Sequence, residues 1–215
     1  MLRALIFDFD GLIVDTETAI IDAWERMHRN DGRPADRAVL HALVGSVDVA
    51  ADIWQAYPPA FSREELDERH RRCARELTLA RPVLPGVREL LTAARADGLR
   101  VGLASNSSHA HVEGHLRHRD MLEFFDAIVC REDVPAGKPE PDVYLAALTR
   151  LRVDAEATVA FEDSRLGHIA AHRAGLRVMV VPNPSTAHDT FVHATWRRES
   201  LADLDLETLR ALAGP

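Results

Sequence analysis

Cysteine is scarce: Cys73 and Cys130 are the only two in 215 residues, and they stand far apart. Neither lies in a metal-binding or redox cysteine motif, so both read as reduced structural thiols. Long hydrophobic runs are missing too. The N-terminal apolar stretch is broken by Asp8 and Asp10, which leaves it too short and too acidic for a signal peptide or a membrane span, and a cytoplasmic location is expected. Positive charge is in deficit, with 26 Lys and Arg against 34 Asp and Glu for a net charge of -8. That balance disfavours general attraction to nucleic acid or to anionic membrane surfaces. The expected partner is a small molecule, bound by a monomer or weak homodimer. Internal repeats and low-complexity tracts are also absent.

What is present suffices for one sizeable core and a smaller appended domain, since 47% of the residues are hydrophobic. Short apolar runs rich in branched residues recur at Ala4 to Phe7, Val101 to Ala104, Ala127 to Val129, Thr158 to Phe161 and Arg177 to Val181, and read as buried strands. Between them lie helical spacings at Val87 to Ala96, His109 to Arg117, Asp142 to Leu151 and Arg165 to Ala174. Gly98 and Gly175 stand where a helix should stop. Alternating strands and helices predict a parallel sheet covered by helices on both faces. From about Thr16 to Arg81 the alternation lapses into helical pattern alone, and the Arg81, Pro82, Pro85, Gly86 stretch marks a return to it. The expected architecture is an α/β core from residues 1–15 and 82–215 with an all-helical insertion, 16–81.

Asp8 and Asp10 follow the first expected strand directly. Side chains two apart on an extended backbone point the same way, so both carboxylates face one spot beyond the strand's carboxyl end, where open parallel sheets bind ligands. Ser105 with Asn106, Lys138 with Pro139, and Glu162 with Asp163 sit at or beyond the corresponding ends of other strands. Four acids gathered against one obvious cation, Lys138, are untenable unless a positive ion binds or protons are taken up. An all-oxygen donor set from Asp8, Asp10, Glu162 and Asp163 suits magnesium better than zinc, and magnesium keeps company with phosphate oxygens. A phosphate ester is the expected substrate. Asp8 is then the expected nucleophile, forming an aspartyl phosphate, and Asp10 the acid and then the base. Lys138 would offset charge on the phosphoryl group, Ser105 would hold its oxygens, Asp163 would hold the metal, and Glu162 is either a ligand or an acceptor behind the ligands.

These residues stand in Asp8-Phe9-Asp10-Gly11-Leu12-Ile13-Val14-Asp15-Thr16-Glu17, Ala104-Ser105-Asn106, Gly137-Lys138-Pro139-Glu140-Pro141 and Phe161-Glu162-Asp163-Ser164. Together, over nearly the whole length, they resemble the haloacid dehalogenase superfamily, in the branch of beta-phosphoglucomutase and many sugar-phosphate phosphatases. The resemblance implies a Rossmann-like core with a helical cap inserted after the first motif. It implies a magnesium ion held by Asp8, the Asp10 main-chain carbonyl and Asp163. It also implies a cap that closes over the core and supplies substrate contacts, with Thr16 near one hinge and Gly45 near the specificity loop; Asn106 joins Ser105 and Lys138 on the substrate side. The chain departs from the mutase pattern, because Thr18, Ala19 and Ile20 stand where mutases carry a cap histidine, and Ser46, Val47 and Asp48 follow Gly45 without the basic residue. Hydrolysis is therefore favoured over intramolecular transfer. Dehalogenation is less consistent still, since dehalogenases need neither Asp10 nor a metal. A sugar phosphomutase and a non-catalytic binding protein of the same fold remain the alternatives.

Other signals read as surface features. His111, His115 and His118 share a helix face and are expected to form a partly exposed polar face, while His168 and His172 are expected to pack or face solvent. Glu65 with Arg69, Asp67 with Arg71 and Glu68 with Arg72 are spaced for ion pairs along a solvated helix.

Overall fold

The computed structural model describes residues 1–37 and 52–214. Six strands form one sheet: β1 (Ala4–Phe7), β2 (Arg100–Ala104), β3 (Ala127–Val129), β4 (Thr158–Glu162), β5 (Arg177–Val180) and β6 (Trp196–Arg197). Their order is β3-β2-β1-β4-β5-β6, and every neighbouring pair runs parallel. The described helices are α1 (Thr16–Asn30), α2 (Arg63–Ala80), α3 (Val87–Ala96), α4 (His109–His118), α5 (Asp142–Leu151), α6 (Arg165–Arg173) and α7 (Leu206–Ala213).

Strand side chains alternate between the two faces of a sheet, and here both faces are covered, which is why β1 is apolar throughout. Leu5, Phe7, Val101, Leu103 and Phe161 pack on one face with Val87, Leu90 and Leu91 of α3, Val112 and Leu116 of α4, and Leu209 of α7. Ala4, Ile6, Ala104, Ala160 and Val178 pack on the other with Val143, Tyr144 and Leu148 of α5 and Ala170 and Ala171 of α6. The predicted parallel α/β architecture is thus the one observed. β6 and α7 were not anticipated; one has two residues and the other eight, too short for a periodic signal.

The chain divides into two compact units, Met1–Val14 with Val83–Pro215 and Asp15–Pro82. The sheet belongs to the first. In the second, α1 and α2 run through the described residues and no strand is found among them. Asp15 caps α1 by accepting from the Thr18 amide at 3.0 Å. Arg81 donates to Asp15 at 3.1 Å and to Asp22 at 2.7 Å, tying the segment's two ends together. Ile21, Trp24, Met27, Trp54, Tyr57 and Leu66 form a separate core. Arg69 corrects an expectation: its ion pair is with Asp31 at 2.9 Å rather than along the helix with Glu65, and Tyr57 donates to the same carboxylate at 3.0 Å. One guanidinium nitrogen reaches both Asp31 oxygens, and the Tyr57 hydroxyl holds that carboxylate in place, which favours this partner over an exposed pair four residues away. Gly45, Ser46, Val47 and Asp48 lie outside the described residues.

Candidate active site

The register of the sheet assembles the site. Phe7 of β1 lies level with Leu103 of β2 and Phe161 of β4, so all three strands end together and Asp8, Ser105, Glu162 and Asp163 emerge from adjacent strand ends. Phe7 and Phe161 stack at 4.6 Å immediately beneath, a rigid apolar floor. Lys138 arrives from the loop beyond β3, where the Asn106 side chain accepts from the Lys138 amide at 2.7 Å and donates to the Lys138 carbonyl at 3.1 Å. Asn106, expected beside substrate, thus has its amide engaged on the Lys138 backbone.

Lys138 Nζ donates to Asp8 Oδ1 at 2.5 Å and to Glu162 Oε1 at 2.6 Å, with its side chain only 4% exposed. Glu162 also accepts from the Tyr144 hydroxyl at 2.5 Å, from the Asp163 amide at 3.2 Å and from the Ser164 hydroxyl at 3.2 Å. Its carboxylate is therefore saturated by donors and anchors the lysine. Burial opposes the charge on Lys138, but Asp8 and Glu162 outweigh it and hold the ammonium above its ordinary value. Burial pushes the Asp8 carboxyl up to about 8, Glu162 and Asp10 add to the rise, and Lys138 opposes it. One ammonium does not balance the buried acids.

Asp163 is buried at the mouth of β4, and Asn183 donates to its Oδ2 at 2.7 Å. Gly11 lets the first loop come this close: its φ is +79°, and a Cβ there would stand 2.2 Å from Asp163 Oδ2. Gly167, in the first turn of α6, does the same for Glu162, since a Cβ would meet Oε1 at 2.0 Å. Asp8, Glu162 and Asp163 offer carboxylate oxygens that lie within 4.8 Å of one another, all buried. The donor set is all oxygen, crowded and under-neutralised, and it fits a hard divalent cation of the magnesium kind.

Asp10 is held from the helical side. Ser107 donates from its hydroxyl to Oδ2 at 2.6 Å, and His111 Nε2 meets Oδ1 at 2.9 Å. His111 is partly exposed, as expected of its helix face, yet meets Asp10, whereas His115 is buried and departs from that expectation. His168 is buried against Phe191, and His172 stacks on His193 at 4.2 Å. Ser105 is 1% exposed, and its Oγ accepts from the Ser107 amide at 3.0 Å. Thr16 lies buried at the start of α1 in the other unit, and Gly45 is outside the described residues. Asn183, Tyr144, Ser107 and His111 were not foreseen as site residues. Of these, Asn183 follows β5 at the same sheet edge and was open to the strand-end reasoning that found the others. Tyr144 and His111 lie on helices, where periodicity reveals a face but not what it meets.

A family model described as haloacid dehalogenase-like hydrolase matches residues 5–181. Hexitol phosphatase B of Escherichia coli (strain K12) is 38% identical over 97% of this chain and 96% of its own length. Phosphorylated carbohydrates phosphatase of Thermotoga maritima is 32% identical, covering 81% of this chain and 82% of that protein. Among solved structures, CbbY of Rhodobacter sphaeroides in complex with phosphate superposes with a TM-score of 0.74 at 29% identity, covering 97% of this chain and 99% of that one.

Proposed function

This chain belongs to the haloacid dehalogenase-like hydrolases, and on that footing we propose that it is a magnesium-dependent phosphatase of a small phosphorylated sugar or sugar alcohol, working through a phosphoryl group carried on Asp8. The observation that carries the reading is the buried Asp8–Lys138–Glu162 array at the ends of β1 and β4, with Asp163 beside it.

Asp8 Oδ attacks phosphorus while the bond from phosphorus to the ester oxygen breaks. Asp10, entering as the acid, gives its proton to that oxygen so that an alcohol leaves rather than an alkoxide. Water then attacks the aspartyl phosphate, Asp10 takes its proton, and the Asp8–phosphorus bond breaks to release phosphate and restore both carboxyl groups. Lys138, fixed by Glu162 and by Asn106, opposes the rise of the Asp8 carboxyl, aims it, and faces the negative phosphoryl oxygens. The Ser105 hydroxyl and nearby amides cradle those oxygens. Asp8, Asp163 and the Asp10 main-chain carbonyl would hold the magnesium ion, with Glu162 behind them on Lys138. When bound, the ion neutralises charge shared between Asp8 and the phosphoryl group.

Asp8→Asn keeps size and polarity and removes the nucleophile. Phosphate release from a panel of sugar and hexitol phosphates should fall to background in that variant, and in wild type stripped of magnesium. Normal release from either contradicts the reading. Analysis of products from a hexose 1-phosphate separates the alternative chemistry, because isomerised sugar phosphate in place of free phosphate identifies a mutase.

A further inference from the structure

Resting on this phosphatase reading, we propose that His111 is a positioning residue for Asp10, holding the carboxyl group together with Ser107 in the orientation that proton transfer to the leaving alcohol requires. The two residues take opposite oxygens of one carboxyl group, His111 Nε2 on Oδ1 at 2.9 Å and the Ser107 hydroxyl on Oδ2 at 2.6 Å. Bonds to both oxygens fix the carboxyl plane as well as its distance, which a single bond does not.

The imidazole is itself held. It meets Phe9 edge-on at 5.7 Å and His115 at 4.6 Å, and His115 Nδ1 accepts from Arg119 at 3.2 Å. His115 lies against Phe9 as well, at 6.0 Å. Phe9 is fully buried between Asp8 and Asp10 in sequence, so the helix that carries the histidines is keyed to the loop that carries the acids. Ser108 caps that helix by accepting from the His111 amide at 3.3 Å, placing His111 in its first turn. An acid that must donate and then withdraw a proton at a set point loses rate steeply when misplaced, on the order of a hundredfold for an ångström.

The test exploits leaving groups. An alkoxide needs a proton to depart and p-nitrophenolate does not, and kcat/KM reports the first step, in which Asp10 serves as acid. His111→Leu should lower kcat/KM for a hexitol phosphate by about 10- to 100-fold and that for p-nitrophenyl phosphate by markedly less. His111→Gln, which returns an N–H near the place of Nε2, should recover much of the difference. Equal losses on both esters indicate a merely structural role and overturn the proposal, as does an unchanged ratio of the two. Asp8→Asn, measured alongside, separates the layers: if it keeps activity on both esters, the phosphatase reading has failed; if it is inactive while the His111→Leu ratio stays flat, only the positioning role has.

Discussion

Lys138 is the residue on which two separate requirements meet. It is the ammonium at the buried acids Asp8 and Glu162, and its loop is pinned by the Asn106 amide. A buried pair is costly to break because the remaining charges are left in a medium that does not solvate them. Lys138→Ala should therefore destabilise the fold by about 3–5 kcal/mol in urea denaturation at neutral pH, in addition to a loss of turnover of at least about a hundredfold. Wild-type stability in that variant contradicts the electrostatic picture. At this scale the sequence was most informative where a residue's type and its place at a strand end coincide, as for Asp8, Ser105 and Asp163. It was least informative where the partner is set by docking. His111 meets Asp10 across 101 residues of chain, and nothing in a histidine on a polar helix face announces that. Asn106 illustrates the converse: its amide suits a substrate phosphate and a backbone clamp equally well.

Among the elements, the segment leaving β3 shows how loops carrying functional residues are made rigid. Asp133 accepts from the Cys130 amide at 2.9 Å, from Arg150 of α5 at 3.0 Å and from His109 at the start of α4 at 2.7 Å, so one carboxylate joins the loop to two helices. The Arg150 hydrogen bond, with those from Cys130 and His109, holds the Asp133 carboxyl well below its ordinary value despite some burial. A depressed carboxyl stabilises the folded state above its unfolded pKa, about 4, and the contribution is lost as pH falls through the folded value. Asp133→Asn should thus cost about 1 kcal/mol at pH 7, and the gap from wild type should close below about pH 4 in denaturation curves taken across pH. A gap that widens on acidification has the wrong sign. Elements with a strong local signal were legible beforehand, β1 and α5 to the residue. β6 and α7 were not, because two residues and eight residues give periodicity too few repeats, and their places are settled by the sheet edge and by α3 that they cover.

For the whole molecule, the deciding property is an excess of buried negative charge at one sheet edge in a chain that is acidic overall. An ion that binds only the folded state stabilises it by mass action, about 2.7 kcal/mol at a hundred times its dissociation constant. For a chain of this length each kcal/mol moves Tm by about 2–4 °C. Magnesium should raise Tm accordingly, and Asp163→Asn should abolish most of the increase without touching the nucleophile. An equal increase in both proteins places the ion elsewhere. The central proposition, that the phosphoryl group passes through Asp8, is tested most directly by trapping it there. Asp10→Ala enzyme given radiolabelled p-nitrophenyl phosphate can form the acyl phosphate, since that leaving group needs no acid, but it cannot readily activate water to remove it. After acid quenching, label should be found on the peptide that contains Asp8, be released by hydroxylamine, and be absent when Asp8 is also changed to Asn. Turnover with no label on the protein, or label on any other residue, contradicts it.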